Sequence, residues 1–260
     1  FKPDVIYSFM PAMNIMMAVG KLFTSRKTKL IWGQFGSKPD YDKYPKLRKK
    51  IYLIQKKFEF LADAITADGS MGIEFYKELN MKLRNSKVIF SGTDVDRFVR
   101  DEQKREEFRS KYNLSSDSIA IGICSRLDVM KGYLVLAKAA KQLLEKYENI
   151  RFFSIGYGDT NLIDDANKIL GEQSDRFIWL GKQLSPEDLM CGWDIYCSPS
   201  LFGEGFSNAL VEAMSCSLPI VVTEVGEAKH QVDGVGKVIK PNDIAELYTA
   251  LDDWIQDPSI

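Results

Sequence analysis

The stretch from Trp193 to Thr223, WDIYCSPSLFGEGFSNALVEAMSCSLPIVVT, gathers the residues best suited to chemistry. An apolar run closes at Ser198-Pro199-Ser200, Gly203-Glu204-Gly205 forms a turn, and a helix is expected to open near Phe206. Neither glycine has a Cβ, so the backbone there can come close to a ligand. The start of a helix offers unpaired N–H groups and a positive dipole end, which suits a phosphate or an electron-rich oxygen. Glu204 lies in the turn and Glu212 about two helical turns further on. One carboxylate can then face a ligand from the loop and the other from the helix. Taken alone, the glycines fit an ordinary turn before an amphipathic helix better than they fit a ligand site.

A second stretch, IGICSRLDVMKGYLVL at 121–136, ends a strand at Cys124-Ser125 and continues with Arg126, then Lys131-Gly132. Two cations at the mouth of a parallel strand suit a diphosphate, and a guanidinium can meet it as a two-pronged fork. In isolation, Arg and Lys in a loop are usually just solvated.

Both stretches require strands that deliver their ends to one place. Apolar runs are expected as strands at 4–9, 29–32, 64–67, 87–90, 119–124, 150–155, 177–180, 195–198 and 219–223. Helical patterns separate them at 12–22, 45–61, 69–79, 131–147, 161–170, 186–191 and 207–216, with a charged helix at 101–111. The strands are apolar nearly throughout, as expected when both faces are covered. Their alternation with helices implies parallel sheets. Ser185-Pro186-Glu187-Asp188 reads as a helix start, with a capping hydroxyl, proline at the first position and carboxylates in the first turn. The pattern pauses between Ser91 and Ser118. The fold class is thus α/β, two Rossmann-like parallel-sheet domains facing a cleft, divided as 1–100 and 101–260, the first incomplete.

Composition narrows the function. Of 260 residues, 45% are apolar and 27% charged, with a net charge of −1, which argues against nucleic acid as a partner. From Lys21 to Lys57, however, twelve cations face only Asp40 and Asp42, a segment of +10 that leaves −11 for the rest. Such asymmetry suggests contact with a polyanion or a membrane surface. The expected helix from Lys46 to Leu61 places Leu47, Ile51, Ile54, Phe58 and Leu61 on one stripe, with Arg48, Lys49, Lys50, Lys56 and Lys57 on other faces. It reads either as a core-packed helix with a solvated basic side or as a contact with acidic lipid. Cys124, Cys191, Cys197 and Cys216 lack metal-ligand spacing, His230 is the single histidine, and a structural metal is not expected. Free buried thiols fit a reducing cytosol.

Five motifs run in an order that resembles glycosyltransferase family 4, retaining nucleotide-sugar transferases of the GT-B fold. They are SGTDVDRF at 91–98, SRLDVMKG at 125–132, GYGD at 156–159, FIWLG at 177–181 and PSLFGEGFSNALVEAM at 199–214. The last holds the E-x7-E signature as Glu204 and Glu212. The resemblance implies that Arg126 and Lys131 hold the donor diphosphate, that Glu204 contacts the transferred sugar, and that Glu212 binds the ribose. Gly203, Gly205, Phe206, Ser207 and Asn208 would line the sugar and phosphate site, with Glu204, Arg126 and Lys131 as the catalytic set. It also implies retention without an enzyme nucleophile, the leaving phosphate taking the acceptor's proton. The co-substrate would be a nucleotide-diphosphate sugar, UDP ahead of GDP, with neither cofactor nor metal. The acceptor would be a lipid-linked or polysaccharide glycan, and the location the cytoplasm, at the inner face of the plasma membrane where 46–61 meets lipid.

Some positions depart from the family pattern. Gly226-Glu227 stands where two glycines are usual, Ser217 where a glycine is common, and GQFG at 33–36 where an acceptor-domain histidine is frequent. The start, Phe1-Lys2-Pro3, reads as a fragment lacking the family's opening strand and glycine-rich loop, so weak transfer is expected of this chain alone. Asp94-Val95-Asp96 resembles a metal-binding DxD, yet its setting in SGTDVDRF favours a turn. A sugar-nucleotide 2-epimerase and a non-catalytic sugar-nucleotide-binding subunit are the alternatives. Observed transfer would exclude the first, and donor binding without turnover would support the second.

Overall fold

The structure, a computed structural model of the chain, describes residues 2–257. It divides into two compact units, one of Phe1–Ser91 with Phe202–Phe206, the other of Gly92–Leu201 with Ser207–Ile260. Residues 92–100 therefore fall with the second unit, and the short 202–206 loop with the first.

The first unit runs β1 (Val5–Phe9), α1 (Pro11–Lys21), β2 (Lys29–Gln34), α2 (Leu47–Lys57), β3 (Ala64–Ala67), α3 (Ser70–Glu78) and β4 (Ser86–Val88). Its sheet has the order β1-β2-β3-β4, every pair parallel. Leu30, Trp32, Ile65 and Ala67 from the strands pack with Tyr52, Phe75 and Tyr76 from the helices.

The α2 stripe expected from spacing is buried only in part: Phe58 and Leu61 pack against the core and Ile51 is half-buried. Tyr52 and Gln55 face inward, whereas Leu47 is 63% and Ile54 43% exposed. The reason lies in the partners of the inward face. Gln55 Nε2 donates to the Tyr76 hydroxyl at 2.8 Å, and the Tyr52 ring meets Phe75 edge-on, centroids 4.9 Å apart. A buried amide that finds an acceptor can take a core position beside an exposed leucine, because its Nε2 bond offsets part of the desolvation cost, although Gln55 Oε1 is buried without a partner. The helix stops at Lys57, and a tight turn, Glu59–Leu61, takes its place.

The second unit runs α4 (Glu102–Lys111), β5 (Ile119–Cys124), α5 (Tyr133–Lys146), β6 (Ile150–Ile155), α6 (Asn161–Leu170), β7 (Phe177–Gly181), α7 (Pro186–Met190), β8 (Ile195–Ser198), α8 (Asn208–Ser215), β9 (Ile220–Thr223), α9 (Ala228–Gln231), β10 (Gly236–Ile239) and α10 (Ile244–Ile255). Its parallel sheet has the order β10-β9-β8-β5-β6-β7. Alternate strand residues feed two cores. Ile121, Ile123 and Phe152 pack under α5, α6 and α10, while Ala120, Phe153 and Ile220 pack under α4, α7 and α8. Both faces are covered, which explains the nearly continuous apolar strands.

Two local expectations need correction. Ser185 makes no side-chain cap on α7; Pro186 opens that helix, and Glu187 from its first turn pairs with Arg97 at 2.8 Å. The expected elements also end at 223, whereas α9, β10 and α10 follow. A signal for α10 was present, since Asp243 caps it by accepting from Glu246 N–H at 2.9 Å, the reach expected of an Asp-x-x-Glu start.

Candidate functional site

In the second sheet, β5 and β8 are neighbours, and the strand order runs one way from β5 to β7 and the other way from β8 to β10. Ligands of open parallel sheets bind outside the carboxyl ends at such a reversal. Both chemistry-bearing stretches begin there: β5 ends at Cys124 and leads into Ser125 and Arg126, and β8 ends at Ser198 and leads into Pro199.

The backbone fixes these segments against one another. Leu201 N–H donates to Met130 O at 2.7 Å, and Thr223 Oγ1 donates to Ser200 O at 2.6 Å. Gly132 holds φ +72, and a Cβ there would fall 2.0 Å from the Pro199 carbonyl oxygen, so any side chain would push the two loops apart. On the other side, Leu127 N–H donates to Tyr157 O at 2.8 Å and Asp159 N–H to Leu127 O at 2.9 Å. The segment SRLDVMKG is thus held between GYGD and the PSL end of β8. Lys131 lies in the short turn Val129–Lys131, not in α5, which starts at Tyr133.

Arg126 is the more exposed of the two cations, its side chain 58% accessible. Its guanidinium is 3.6 Å from Asp128 Oδ2 and 3.8 Å from Met130 Sδ, and Asp128 Oδ1 accepts from Met130 N–H at 3.0 Å. Lys131 and Glu212 both act on the Cys124 thiol, which is pushed up to about 12, first by burial and then by the Glu212 carboxylate, with Lys131 opposing. Lys131 and the α8 carboxylate are therefore both within electrostatic reach of the end of β5. Burial also raises the Glu212 carboxyl above its ordinary value, Arg97 lowers it, and Glu187 raises it further.

The helix α8 opens at Asn208, one residue inside the expected 207–216, with Ser207 at its cap. Ser207 does not cap with its hydroxyl. Gln231 of α9 brackets its backbone instead, Oε1 accepting from Ser207 N–H and Nε2 donating to Ser207 O, both at 3.1 Å. Gly203, Glu204, Gly205 and Phe206 belong to the first unit, where Glu204 is buried at 9% exposure. There Ser37 N–H donates to Gly203 O at 3.2 Å, and Phe206 N–H donates to Asp68.

Sequence reasoning missed a cavity of about 320 Å³ at the ends of β6 and β7, lined by Gly156, Tyr157, Thr160, Trp179 and Lys182. Lys182 Nζ stands 5.4 Å from the Tyr157 ring centroid. The motifs GYGD and FIWLG pointed to this place, but no role was drawn from them. Asp94, from the DxD-like run, spends one carboxylate oxygen on the N–H groups of Asp96 and Arg97, at 3.2 and 3.1 Å. Among the described residues no cluster of metal-ligating side chains occurs. His230 is exposed on α9.

Two parallel-sheet α/β units, the second doubly wound with Arg126 and Lys131 at the strand end beside its reversal, define the class of fold. The sequence model of the group 1 glycosyl transferases matches residues 118–257, and the chain belongs to that family. An uncharacterized glycosyltransferase of Methanocaldococcus jannaschii is 25% identical over 240 residues, 89% of this chain and 58% of that protein. A capsular polysaccharide biosynthesis glycosyltransferase of Staphylococcus aureus, CapM, is 25% identical over 81% of this chain and 57% of its own length. The chain thus spans less than two thirds of these relatives. Among solved structures, Anabaena HepE in complex with UDP and glucose superposes with a TM-score of 0.86 at 19% identity, covering 98% of this chain and 69% of that one. The GT-B fold expected from the motifs is the fold observed.

Proposed function

We propose that the protein is a retaining glycosyltransferase that moves a sugar from a nucleotide diphosphate to a glycan or lipid-linked acceptor, and that this chain carries its donor site. The observation that carries the reading is Arg126 and Lys131 just beyond the carboxyl end of β5, beside the strand reversal, with Glu212 in electrostatic reach of that strand end. Arg126 and Lys131 would neutralise the diphosphate, Glu212 would accept from the ribose hydroxyls, and Glu204 would accept from the sugar. The cavity at Tyr157, Trp179 and Lys182 is of a size and aromatic character to take the base. In transfer the bond from the anomeric carbon to phosphate breaks and the acceptor oxygen bonds to that carbon on the same face. The acceptor's proton passes to the leaving phosphate, whose charge the two cations stabilise. UDP is the nucleotide we favour, and HepE's complex with UDP and glucose supports it by fold likeness.

Thermal shift with UDP, GDP, ADP and their sugars tests the reading, since a ligand bound only to the folded state raises its stability. At a hundredfold excess over Kd the gain is about 2.7 kcal/mol. The shift should persist in EDTA, because side-chain cations and not a carboxylate-held metal meet the phosphate. No shift with any nucleotide would end the donor-site reading, and a shift that vanishes in EDTA and returns with Mn²⁺ would end its metal independence.

The two glutamates should separate. Glu212→Gln is expected to weaken nucleoside diphosphate and intact donor alike, by about tenfold, whereas Glu204→Gln should weaken only the sugar-bearing donor. Acid should act through Glu212 too. Its carboxyl is raised, so its charge, and with it nucleotide affinity, is lost at a higher pH than an ordinary glutamate would allow as pH falls. Glu212→Gln should flatten that limb; calorimetry across pH reads both effects, and reversed selectivity would exchange the two roles.

The membrane contact is supported by the turned-out face of α2. Leu47, Leu53, Ile54 and Phe60 are exposed beside Lys49, Lys50, Lys56 and Lys57. Each basic residue near an anionic surface contributes about 1 kcal/mol. Lys49→Glu with Lys50→Glu should abolish sedimentation with vesicles of one-third phosphatidylserine, and unchanged sedimentation would remove α2 from the contact. Among the described residues no helix is long and apolar enough to cross a membrane.

A further inference from the structure

We propose that Asp68 is a positioning residue for sugar transfer, holding from the end of β3 the loop that carries Glu204. The inference rests on the donor-site reading above and extends it to a residue none of the family motifs contains.

Asp68 directly follows β3 and is 6% exposed. Its two carboxylate oxygens accept from Gly36 N–H at 3.1 and 3.3 Å, and the carboxylate also accepts from Phe206 N–H. Gly205 lies so near that a Cβ there would fall 2.3 Å from Oδ1 and 2.5 Å from Oδ2. Only a residue without a side chain lets the loop pass at this distance. One residue before Glu204, Gly203 O accepts from Ser37 N–H at 3.2 Å. The loop is therefore held on both sides of Glu204, by Ser37 at Gly203 and by Asp68 at Gly205 and Phe206.

A simple packing role does not account for the charge. Burial works against an ionised Asp68 most strongly and raises its pKa, the Glu204 carboxylate adds to the rise, and the Gly36 and Phe206 amides oppose it. A neutral side chain would avoid both penalties. What a carboxylate offers is two strong acceptors that reach Gly36 and Phe206 at once, with bonds stronger than a neutral acceptor makes. The loop's aim, and with it the place of Glu204, then depends on Asp68. Phosphate and ribose, assigned to Arg126, Lys131 and Glu212, do not.

The test compares Asp68→Ala, Asp68→Asn, Gly205→Ala and the Asp68→Ala/Gly205→Ala double variant. Each is titrated with UDP, UDP-glucose, GDP and GDP-mannose, and amide hydrogen exchange is followed over residues 202–207. Asp68→Ala should leave nucleoside diphosphate affinity within about twofold and lower nucleotide-sugar affinity by about tenfold. Asp68→Asn, which keeps one acceptor, should recover part of that loss. Gly205→Ala evicts the same carboxylate, so the double variant should lose no more than either single one. Equal losses for diphosphate and sugar nucleotide, or single-variant losses that multiply, would overturn the proposal. Should the wild type bind none of the four ligands, the donor reading fails by itself. Exchange still decides the hold: in Asp68→Ala the 202–207 amides should exchange about tenfold faster with α5 unchanged, and unaltered exchange overturns it.

Discussion

Replacing Arg126 or Lys131 by alanine should each lower nucleoside diphosphate affinity by about ten- to a hundredfold, since a hydrogen bond to a charged group contributes about 1.5–3 kcal/mol. Arg126 is poised for such a contact because its own intramolecular partners are weak. The nearest carboxylate oxygen is 3.6 Å away and the Met130 sulfur 3.8 Å, longer than a charge-assisted hydrogen bond. The guanidinium is also 58% accessible, so its attraction for a phosphate should be partly screened by salt. The wild-type affinity should accordingly fall as ionic strength rises, and the Arg126→Ala affinity should fall less. Arg126→Lys should recover only part of the loss, because an ammonium cannot form the planar two-pronged contact. Calorimetry at two salt concentrations reads all of this. Affinities within twofold of wild type would remove both residues from the phosphate site.

Much of the architecture behind these residues could be read from residue order. The apolar strands of the second sheet announced coverage on both faces, and the ends of β5 and β8 were placed as observed. Their adjacency was not legible, because strand order depends on which crossover passes which face, and neighbouring residues do not record it. Which face of α2 is buried was illegible for a different reason. Spacing puts Leu47 and Ile54 on one stripe, but a tyrosine and a glutamine with partners across the core outcompete them. Hydrophobic periodicity counts apolar residues and is blind to a polar side chain that has found a partner. The role of Gln231 at Ser207 and of Asp68 at Phe206 escaped for the same cause, since each joins residues far apart in sequence. Asp243 and Glu246 lie three residues apart, so the start of α10 is legible in the sequence itself.

Asp194→Ala should destabilise the second unit by about 3–5 kcal/mol, the usual cost of removing one partner from a buried ionic network. Asp194 is 8% exposed and stands just before β8. Its carboxylate accepts from Arg105, from Arg109 at 3.1 Å and from Ala120 N–H at 2.7 Å. The two arginines come from α4, and they also bind backbone oxygens, Arg105 that of Trp193 at 3.0 Å and Arg109 those of Ser115 and Ser118 at 2.6 and 2.7 Å. One carboxylate therefore ties α4 to the starts of β5 and β8. Without it two shielded guanidinium groups face each other and a buried N–H lacks its acceptor, which is why the loss should exceed that of an exposed pair. For a unit of this size the melting temperature should drop by about 6–20 °C. Asp194→Ala combined with Arg105→Ala should cost less than the two losses added, because the second change removes a charge stranded by the first. Affinity for nucleoside diphosphate, measured well below the transition, should stay within twofold, since the network lies at the opposite strand ends from Arg126 and Lys131. A melting point within about 2 °C of wild type would show that α4 is held by Phe108 and its apolar neighbours alone.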